Sequence, residues 1–164
     1  MTFNVGAKVV HPAYGPGKIM AITRKRFLDQ VREYYVIRVP TQRLRVMVPT
    51  SKAEEVGLRP ISKPGAFKVM WATLRDAPQP LPDDWKERKQ AITNSIASGK
   101  LCELARATRD LAALRQERTL GSTDRELLDK AESALANELA LAKDMEPKRA
   151  LALIQSEIPR AAES

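Results

Sequence analysis

Hydrophobic and polar positions in the first third of the chain alternate with the period of two that is typical of β-strands. Leu44, Val46 and Val48, for example, fall on one face of a single run. Turn-forming prolines and glycines separate the apolar runs, most densely in 11–17. Four or five short strands joined by tight turns predict a small SH3-like or Tudor-like barrel over residues 1–60.

From about residue 62 the hydrophobic period changes from 2 to 3.6, which indicates helices. Phe67, Met70, Trp71 and Leu74 follow one another at the spacing of a buried helical stripe. Three prolines within 77–82 then end this helix. The same prolines predict a stiff linker, because each fixes its own backbone φ angle.

Further helical patterns follow the linker. Asp83 and Asp84 are good N-caps for a helix that opens with Trp85, and Gly99 is suited to ending it. Thr123 and Glu126 have capping-box spacing. The later predicted helices cover 100–118, a stripe from Leu127 to Leu139, and a short segment from Pro147.

The two halves of the chain therefore predict a two-domain α+β protein. A β-barrel occupies 1–60, and an all-α domain of about five helices occupies 61–164. Charge follows a similar division: residues 1–82 carry 14 Lys/Arg and 5 Asp/Glu, whereas 83–164 carry 14 and 15. The net charge of +8 is thus concentrated in the first half, where it favours a polyanionic partner.

The residue types that carry most catalysis and metal binding are scarce. Cys102 and His11 are the single cysteine and the single histidine, so neither an intrachain disulfide nor a thiolate zinc site can form. No phosphate-binding or dinucleotide-binding glycine motif occurs. We therefore predict no catalytic residues, no metal and no cofactor.

The sequence shows neither a secretion signal at its beginning nor an apolar run long enough to cross a membrane. We expect a soluble, cytoplasmic protein that does not contact membranes. Nothing in the pattern requires a dimer, and we expect a monomer.

Binding is better supported than catalysis, because many cations lie in or between the predicted strands. These are Arg24, Lys25, Arg26, Arg32, Arg38, Arg43 and Arg45. Such a group forms either a solvated basic surface or an electrostatic footprint for nucleic acid or for an acidic protein surface. Composition alone does not separate these partners.

Trp85 begins a helix and is followed closely by cations, which leaves two interpretations open. The ring either packs back onto the proline linker as a hydrophobic staple, or it is presented to nucleic acid. An exposed ring beside phosphate-binding cations can stack on bases or wedge between them. Trp71, by contrast, lies on a clear apolar stripe and is predicted to be core.

In this order and spacing, several short motifs resemble the CarD family of bacterial RNA polymerase-binding transcription regulators. The likeness covers nearly the whole chain. In the first half the motifs are Phe3-x-Val5-Gly6-x-x-Val9-Val10-x-Pro12-x-x-Gly15-x-Gly17, Tyr34-Tyr35-Val36-Ile37, Leu44-Arg45-Val46-Met47-Val48-Pro49 and Ala53-Glu54-Glu55-Val56-Gly57-Leu58-Arg59. In the second half they are Trp85 with the basic residues after it, Ala97-Ser98-Gly99, Arg109-Asp110-Leu111 and Glu138-Leu139-Ala140-Leu141-Ala142-Lys143.

For residues 1–60 the resemblance implies a Tudor-like domain, shared with transcription-repair coupling factors, that binds the RNA polymerase β subunit. Val36, Met47 and Pro49 match the strands that contact the polymerase. Arg24 and Arg45 are added as neighbours of those strands. The expected localisation is then cytoplasmic, at the nucleoid through RNA polymerase.

For the helical domain the resemblance implies contact with promoter DNA at the upstream edge of the transcription bubble. Trp85 matches a tryptophan that wedges into the minor groove and helps to keep the promoter open. Lys86, Arg88 and Lys89 are the expected DNA-contacting cations. Glu87 departs from the family, which commonly has a basic residue there, and a carboxylate near phosphate would weaken the contact.

Two other functions remain open at this level. The first is an adaptor that docks on RNA polymerase without contacting DNA, in which case the Trp85 ring should be buried. The second is an RNA-binding SH3-like module, which would normally present aromatic residues on its sheet.

Overall fold

The computed structural model describes residues 2–160. The chain divides into two compact units, of which the first ends at Ile61 and the second begins at Ser62. None of the helices within residues 2–160 combines the length and the hydrophobicity that a membrane-spanning segment needs.

The first unit is built around one antiparallel sheet. Within residues 2–160 its strands are β1 (Lys8–His11), β2 (Gly15–Phe27), β3 (Gln30–Val39), β4 (Leu44–Pro49) and β5 (Arg59–Pro60). Their order across the sheet is β4-β3-β2-β1-β5, so that β4 and β5 are its edges. A closed barrel would need those two edges to pair. Because the described residues show no such pairing, the predicted barrel closure is not confirmed.

The inner face of the sheet carries the core of the first unit. Val9, Ile19 and Ile37 are fully buried, and the Phe3 backbone N–H donates to the Tyr35 hydroxyl oxygen at 3.0 Å. Gly17 is required at its position, since an added Cβ would lie 2.6 Å from the carbonyl oxygen of Arg38. β2 therefore packs against β3 more closely than a side chain would allow.

One turn of helix, α1 (Ala53–Val56), joins β4 to β5. Gly57 ends it in the left-handed conformation, and its N–H donates to the carbonyl oxygens of Ala53 and Glu54. With α1, the described residues contain six α-helices, whereas the sequence predicted about five, all in the helical domain. The additional helix lies in the β-sheet unit.

The helices of the second unit are, among the described residues, α2 (Pro64–Arg75), α3 (Trp85–Ala97), α4 (Leu101–Glu117), α5 (Ser122–Lys143) and α6 (Pro147–Glu157). One buried cluster joins α2, α4, α5 and α6 through residues such as Met70, Leu104 and Leu139. A second cluster joins α3, α4 and α5 through Ile92 and Leu111. α4 and α5 contribute to both clusters and form the centre of the unit.

The proline-rich segment 77–82 connects α2 to α3 within the helical unit. The Gln79 N–H donates to Asp110 Oδ1 on α4 at 2.9 Å, and Leu81 packs against the second cluster. The segment is therefore anchored along its length.

Of the predicted helix N-caps, the one at the start of α3 is confirmed and the one at the start of α5 is wrong. Asp84 caps α3, because its side chain accepts the Glu87 N–H at 3.3 Å. The capping box predicted at Thr123 is wrong, because the N-cap residue of α5 is Gly121 and no side chain caps this helix. The N-cap residue of α2 is Lys63, also without a side-chain cap. The Ser62 N–H, just before α2, donates to Glu138 Oε2 at 2.9 Å.

Candidate binding surfaces

Four of the residues expected to contact the polymerase share one face of the sheet. Directly paired residues of antiparallel strands lie on the same face. Val36 pairs with Met47 and Arg38 with Arg45, while Pro49 pairs with Tyr34. These residues alternate along β3 and β4 with buried core residues, so they point away from the core. We call this surface the outer face.

Cations border the apolar centre of the outer face. Lys18 pairs with Arg38, which pairs with Arg45, so three exposed cations stand side by side across β2, β3 and β4. Lys8 of β1 extends this row as the partner of Lys18. Like charges directly opposite one another destabilise a sheet, so stability does not explain the row. Its field would attract an acidic surface.

Arg24 is not part of the outer face. It pairs with Glu33, and its Nε lies 3.8 Å from the Glu33 carboxylate. Glu33 precedes Tyr34 on β3 and therefore points to the opposite side. The basic pair on the outer face at this level is Lys25 with Arg32.

A β-bulge in β2 explains why Arg24 points away from the outer face. Regular alternation from Lys18 along β2 would place Arg24 on the outer face. The register shifts between Ile19 and Ala21, which makes Met20 an extra residue. One extra residue turns every later side chain to the other side of the strand. Lys25 thereby takes the place on the outer face that Arg24 would have had.

The tip of the β2–β3 hairpin is apolar and exposed, which sequence reasoning missed. Its two-residue turn, Leu28 and Asp29, has φ angles of 46° and 63°. Both are left-handed, as a tight hairpin turn of the primed type requires. Phe27, Leu28 and Val31 are 69%, 83% and 62% exposed. Exposed apolar residues beside cations at the end of a hairpin make the tip a candidate interaction surface.

In the helical unit, Trp85 occupies the first turn of α3 with its side chain half exposed. Trp85, Arg88 and Ile92 lie on one stripe of the helix at i, i+3 and i+7. Arg88 and Ile92 are buried, whereas Trp85 is 52% exposed. This exposure favours the interpretation in which the ring is available to a ligand over a buried staple. Trp71, in contrast, packs against the first helical cluster, as predicted.

The cations around Trp85 are placed unequally. Lys86 Nζ lies 5.7 Å from the centroid of the Trp85 ring, at cation–π distance. Lys89 is exposed and stands one turn after Trp85 on the same side of the helix. Glu87 is also exposed, but residues two apart do not share a helix face. Its carboxylate therefore faces away from the ring.

Arg88 requires a correction to the sequence prediction. It was expected to contact DNA, yet it is only 4% exposed. Its Nε and one terminal nitrogen donate to the two Asp124 oxygens, both at 2.9 Å. The Asp124 hydrogen bonds raise the pKa of Arg88 above its ordinary value, while burial opposes this. Arg88 is thus committed to an internal ion pair and is unavailable to a phosphate.

His11 has a structural environment at the end of β1. It is 8% exposed, and its Nδ1 accepts the N–H groups of Ala13 and Tyr14 at 3.0 and 3.3 Å. Burial lowers the pKa of His11 below its ordinary value of 6.5. Cys102 lies on α4 and is partly buried. Among residues 2–160, no group of three or more potential metal ligands comes together.

Each of the two units matches a known protein family model. The family model "CarD-like/TRCF RID domain" matches residues 3–62, and "CarD, C-terminal domain" matches 69–155. The chain is 33% identical over 147 residues to a putative transcription factor, YdeB, of Bacillus subtilis, an alignment that covers 90% of this chain and 96% of that protein. It is also similar to the solution NMR structure of the 72-residue N-terminal domain of Myxococcus xanthus CarD. That match has 30% identity and a TM-score of 0.32, and it covers 36% of this chain and 79% of the other.

The two family models follow one another in the order of the two structural units, and together they account for most of the sequence. The chain therefore belongs to the CarD family of bacterial RNA polymerase-binding transcription regulators, and its first unit is the polymerase-interacting type of domain shared with transcription-repair coupling factors.

Proposed function

We propose that this protein stabilises promoter open complexes by docking on the RNA polymerase β subunit and presenting Trp85 to DNA at the upstream edge of the bubble. The observation that carries the DNA contact is the half-exposed Trp85 ring, with the exposed Lys86 and Lys89 beside it. The protein would act in the cytoplasm, at the nucleoid, as a monomer bound to polymerase.

Docking would use the outer face and the hairpin tip. Val36, Met47 and Pro49 supply an apolar centre, and flanking cations supply a charged rim. A specific protein interface commonly has this arrangement, with an apolar core and a polar rim. The complementary surface on the β subunit would be apolar at its centre and acidic around it.

The helical unit would act after docking has brought it to the promoter. It is not net basic, so its own affinity for DNA should be modest. Tethering through the first unit raises its effective concentration at the DNA. If Trp85 binds melted DNA better than closed duplex, the equilibrium moves toward the open complex by no more than that difference in affinity.

Docking is tested by a matched pair of charge reversals, Arg45→Glu and Arg24→Glu, with binding of the full chain to polymerase core enzyme as the measurement. Arg45→Glu should weaken binding, because it reverses the rim of the outer face. It also places a carboxylate opposite Arg38, so the sheet should be no less stable. Arg24→Glu should weaken binding less, since Arg24 points to the other side of the hairpin, even though a carboxylate opposite Glu33 makes the sheet less stable. Equal losses from both variants would contradict the assignment of the outer face.

The DNA contact is tested by Trp85→Ala, with the lifetime of open complexes and the binding to polymerase both measured. We expect a shorter lifetime and unchanged binding. Because an energy difference of about 1.4 kcal/mol corresponds to tenfold in equilibrium, even a modest wedge contribution should be measurable. If the variant prolongs open complexes as well as the wild type does, the protein is an adaptor that does not use this ring on DNA.

A further inference from the structure

The guanidinium of Arg88 forms a clamp around the segment that leads into Trp85. Two of its nitrogens hold the carboxylate of Asp124 at 2.9 Å each. Its remaining terminal nitrogen donates to the carbonyl oxygens of Pro82 and Asp83 at 3.0 and 3.1 Å. All three nitrogens are therefore engaged with groups in the helical unit.

The residues of the clamp lie on both sides of Trp85 in the sequence. The two carbonyl groups lie two and three residues before the tryptophan, and Arg88 itself lies three residues after it. Asp124 belongs to the first turn of α5, a different helix of the same compact unit. The backbone on both sides of Trp85 is thus tied to α5 through one planar group.

A second contact holds the same segment farther from Trp85. Asp110 Oδ1 on α4 accepts the Gln79 N–H and also the Arg109 Nε, both at 2.9 Å. Arg109 in turn donates to the Thr73 carbonyl oxygen at 3.1 Å. The segment between α2 and α3 is therefore fixed to α4 near its middle and to α5 at its end.

Stability by itself does not account for this arrangement. A buried ion pair can often be replaced by apolar residues of similar volume without loss of stability. An apolar pair would fill the space but could not hold two carbonyl oxygens. A lysine could keep the charge but not the flat fork of donors that reaches Asp124 and both carbonyls at once. What the pair adds over such replacements is a defined position for the start of α3.

We infer that Arg88 and Asp124 are positioning residues that hold the Trp85 ring in the orientation in which it meets DNA. Neither residue would touch DNA, because both are buried. This inference rests on the proposed function, since it assumes that Trp85 acts on the promoter. The clamp itself is a property of the free protein and can be measured separately.

The experiment compares the full-length chain with Arg88→Met/Asp124→Leu, with Trp85→Ala, and with all three changes together. Open-complex lifetime and polymerase binding are measured for each. We expect the double variant to keep polymerase binding and to lose most of the Trp85-dependent lifetime, and Trp85→Ala should then cause no further loss. A purely structural role would instead give additive losses. Arg106→Gln serves as the control, because it breaks an exposed ion pair with Glu103 on α4 and should change nothing.

Hydrogen exchange in the free protein provides the second readout. In the wild type the Arg88 N–H donates to the Asp84 carbonyl oxygen at 2.9 Å. Loss of the clamp should speed exchange of the amides in 84–88 and leave the amides of α4 unchanged. If the double variant does not fold, Arg88→Lys is used, for which we expect the same pattern at smaller amplitude.

The outcomes separate the two proposals. Wild-type lifetime together with wild-type exchange in a folded clamp variant would overturn the positioning role. Faster exchange and a shortened lifetime would support it. If Trp85→Ala has no effect on lifetime, the proposed DNA contact fails, yet faster exchange in 84–88 would still show that the clamp orders this segment.

Discussion

Arg88 and Lys89 are adjacent in the sequence, yet only Lys89 is available to a phosphate. The helical period places Arg88 on the buried stripe of α3 and Lys89 beside the exposed Trp85 ring. Glu87 stands on another side of the helix, where it also places a favourable negative charge in the first turn. The chemical role of each charge near Trp85 is therefore set by its angular position on the helix.

A matched pair of neutral substitutions tests this arrangement. Lys89→Gln should weaken the DNA contact and lower the slope of log affinity against log salt by about 1, the value of one phosphate contact. Glu87→Gln should leave that slope unchanged, because Glu87 faces away from the ring. Both are measured as the salt dependence of open-complex stabilisation. A steeper slope for Glu87→Gln would mean that the carboxylate does approach a phosphate.

The buried His11 predicts a pH dependence for the stability of the first unit. Its Nδ1 accepts two backbone N–H groups, so protonation removes both hydrogen bonds and places a charge in a buried position. Since the folded-state pKa lies below 6.5, the stabilisation is fully present above pH 6.5 and is lost as the pH falls through the lower folded value.

Urea unfolding of wild type and His11→Asn between pH 8 and pH 5 provides the measurement. Asparagine can accept the same N–H groups but does not titrate in this range. The wild type should lose stability relative to His11→Asn below pH 6.5. Parallel curves for the two proteins would show that His11 protonation does not oppose folding.

At the scale of elements, the β2–β3 hairpin combines local strain with exposed apolar surface. Leu28 and Asp29 adopt left-handed φ angles that glycine or asparagine adopts at lower cost. Leu28 is also the most exposed of the large apolar side chains named at the tip. The left-handed φ angles and the exposed leucine both lower the stability of the folded sheet. A role in docking would account for both features.

Replacing Leu28-Asp29 with Asn-Gly tests whether the turn gives up stability for docking. The sheet should become more stable by about 1 kcal/mol, since Asn-Gly is the preferred sequence for such a turn. Binding to polymerase should weaken, because the exposed leucine is lost. Thermal unfolding and polymerase affinity are measured on the same protein. Tighter or unchanged binding would remove the tip from the docking surface.

At the scale of the whole molecule, each unit has its own buried core. The sheet unit is centred on residues such as Ile19 and Ile37, and the helical unit on its two clusters around α4 and α5. The first unit ends at Ile61 and the second begins at Ser62, so the prolines of 77–82 lie inside the second unit. α2 precedes those prolines and supplies Met70 to the helical core, so it belongs to the second unit.

Separate fragments test this organisation. Fragments 1–61 and 62–164 should each unfold cooperatively, the first with low stability, because a domain of about 60 residues buries a small core. A fragment 77–164 should fail to fold, since it lacks the buried face of α2. Circular dichroism melts of the three fragments give the answer. A cooperative melt of 77–164 equal to that of 62–164 would show that α2 is dispensable.

Local sequence patterns were sufficient to predict the strands, the helices and their order, because the hydrophobic period reflects local structure. The patterns were the alternation in 44–48, the helical stripe from Phe67 to Leu74 and the proline-rich break at 77–82. Resemblance in motif order was sufficient to identify the family. Trp85 could likewise be chosen as a candidate binding residue from the sequence, because it is an aromatic residue that follows a helix cap and precedes several cations.

The tertiary structure decided which neighbouring residues can reach a partner. The bulge at Met20 places Lys25 rather than Arg24 on the outer face, and its position depends on pairing with β3. Asp124, 36 residues beyond Arg88, converts a predicted DNA contact into an internal clamp. Both outcomes depend on contacts between segments far apart in sequence, and local hydrophobic patterns carry no record of such contacts.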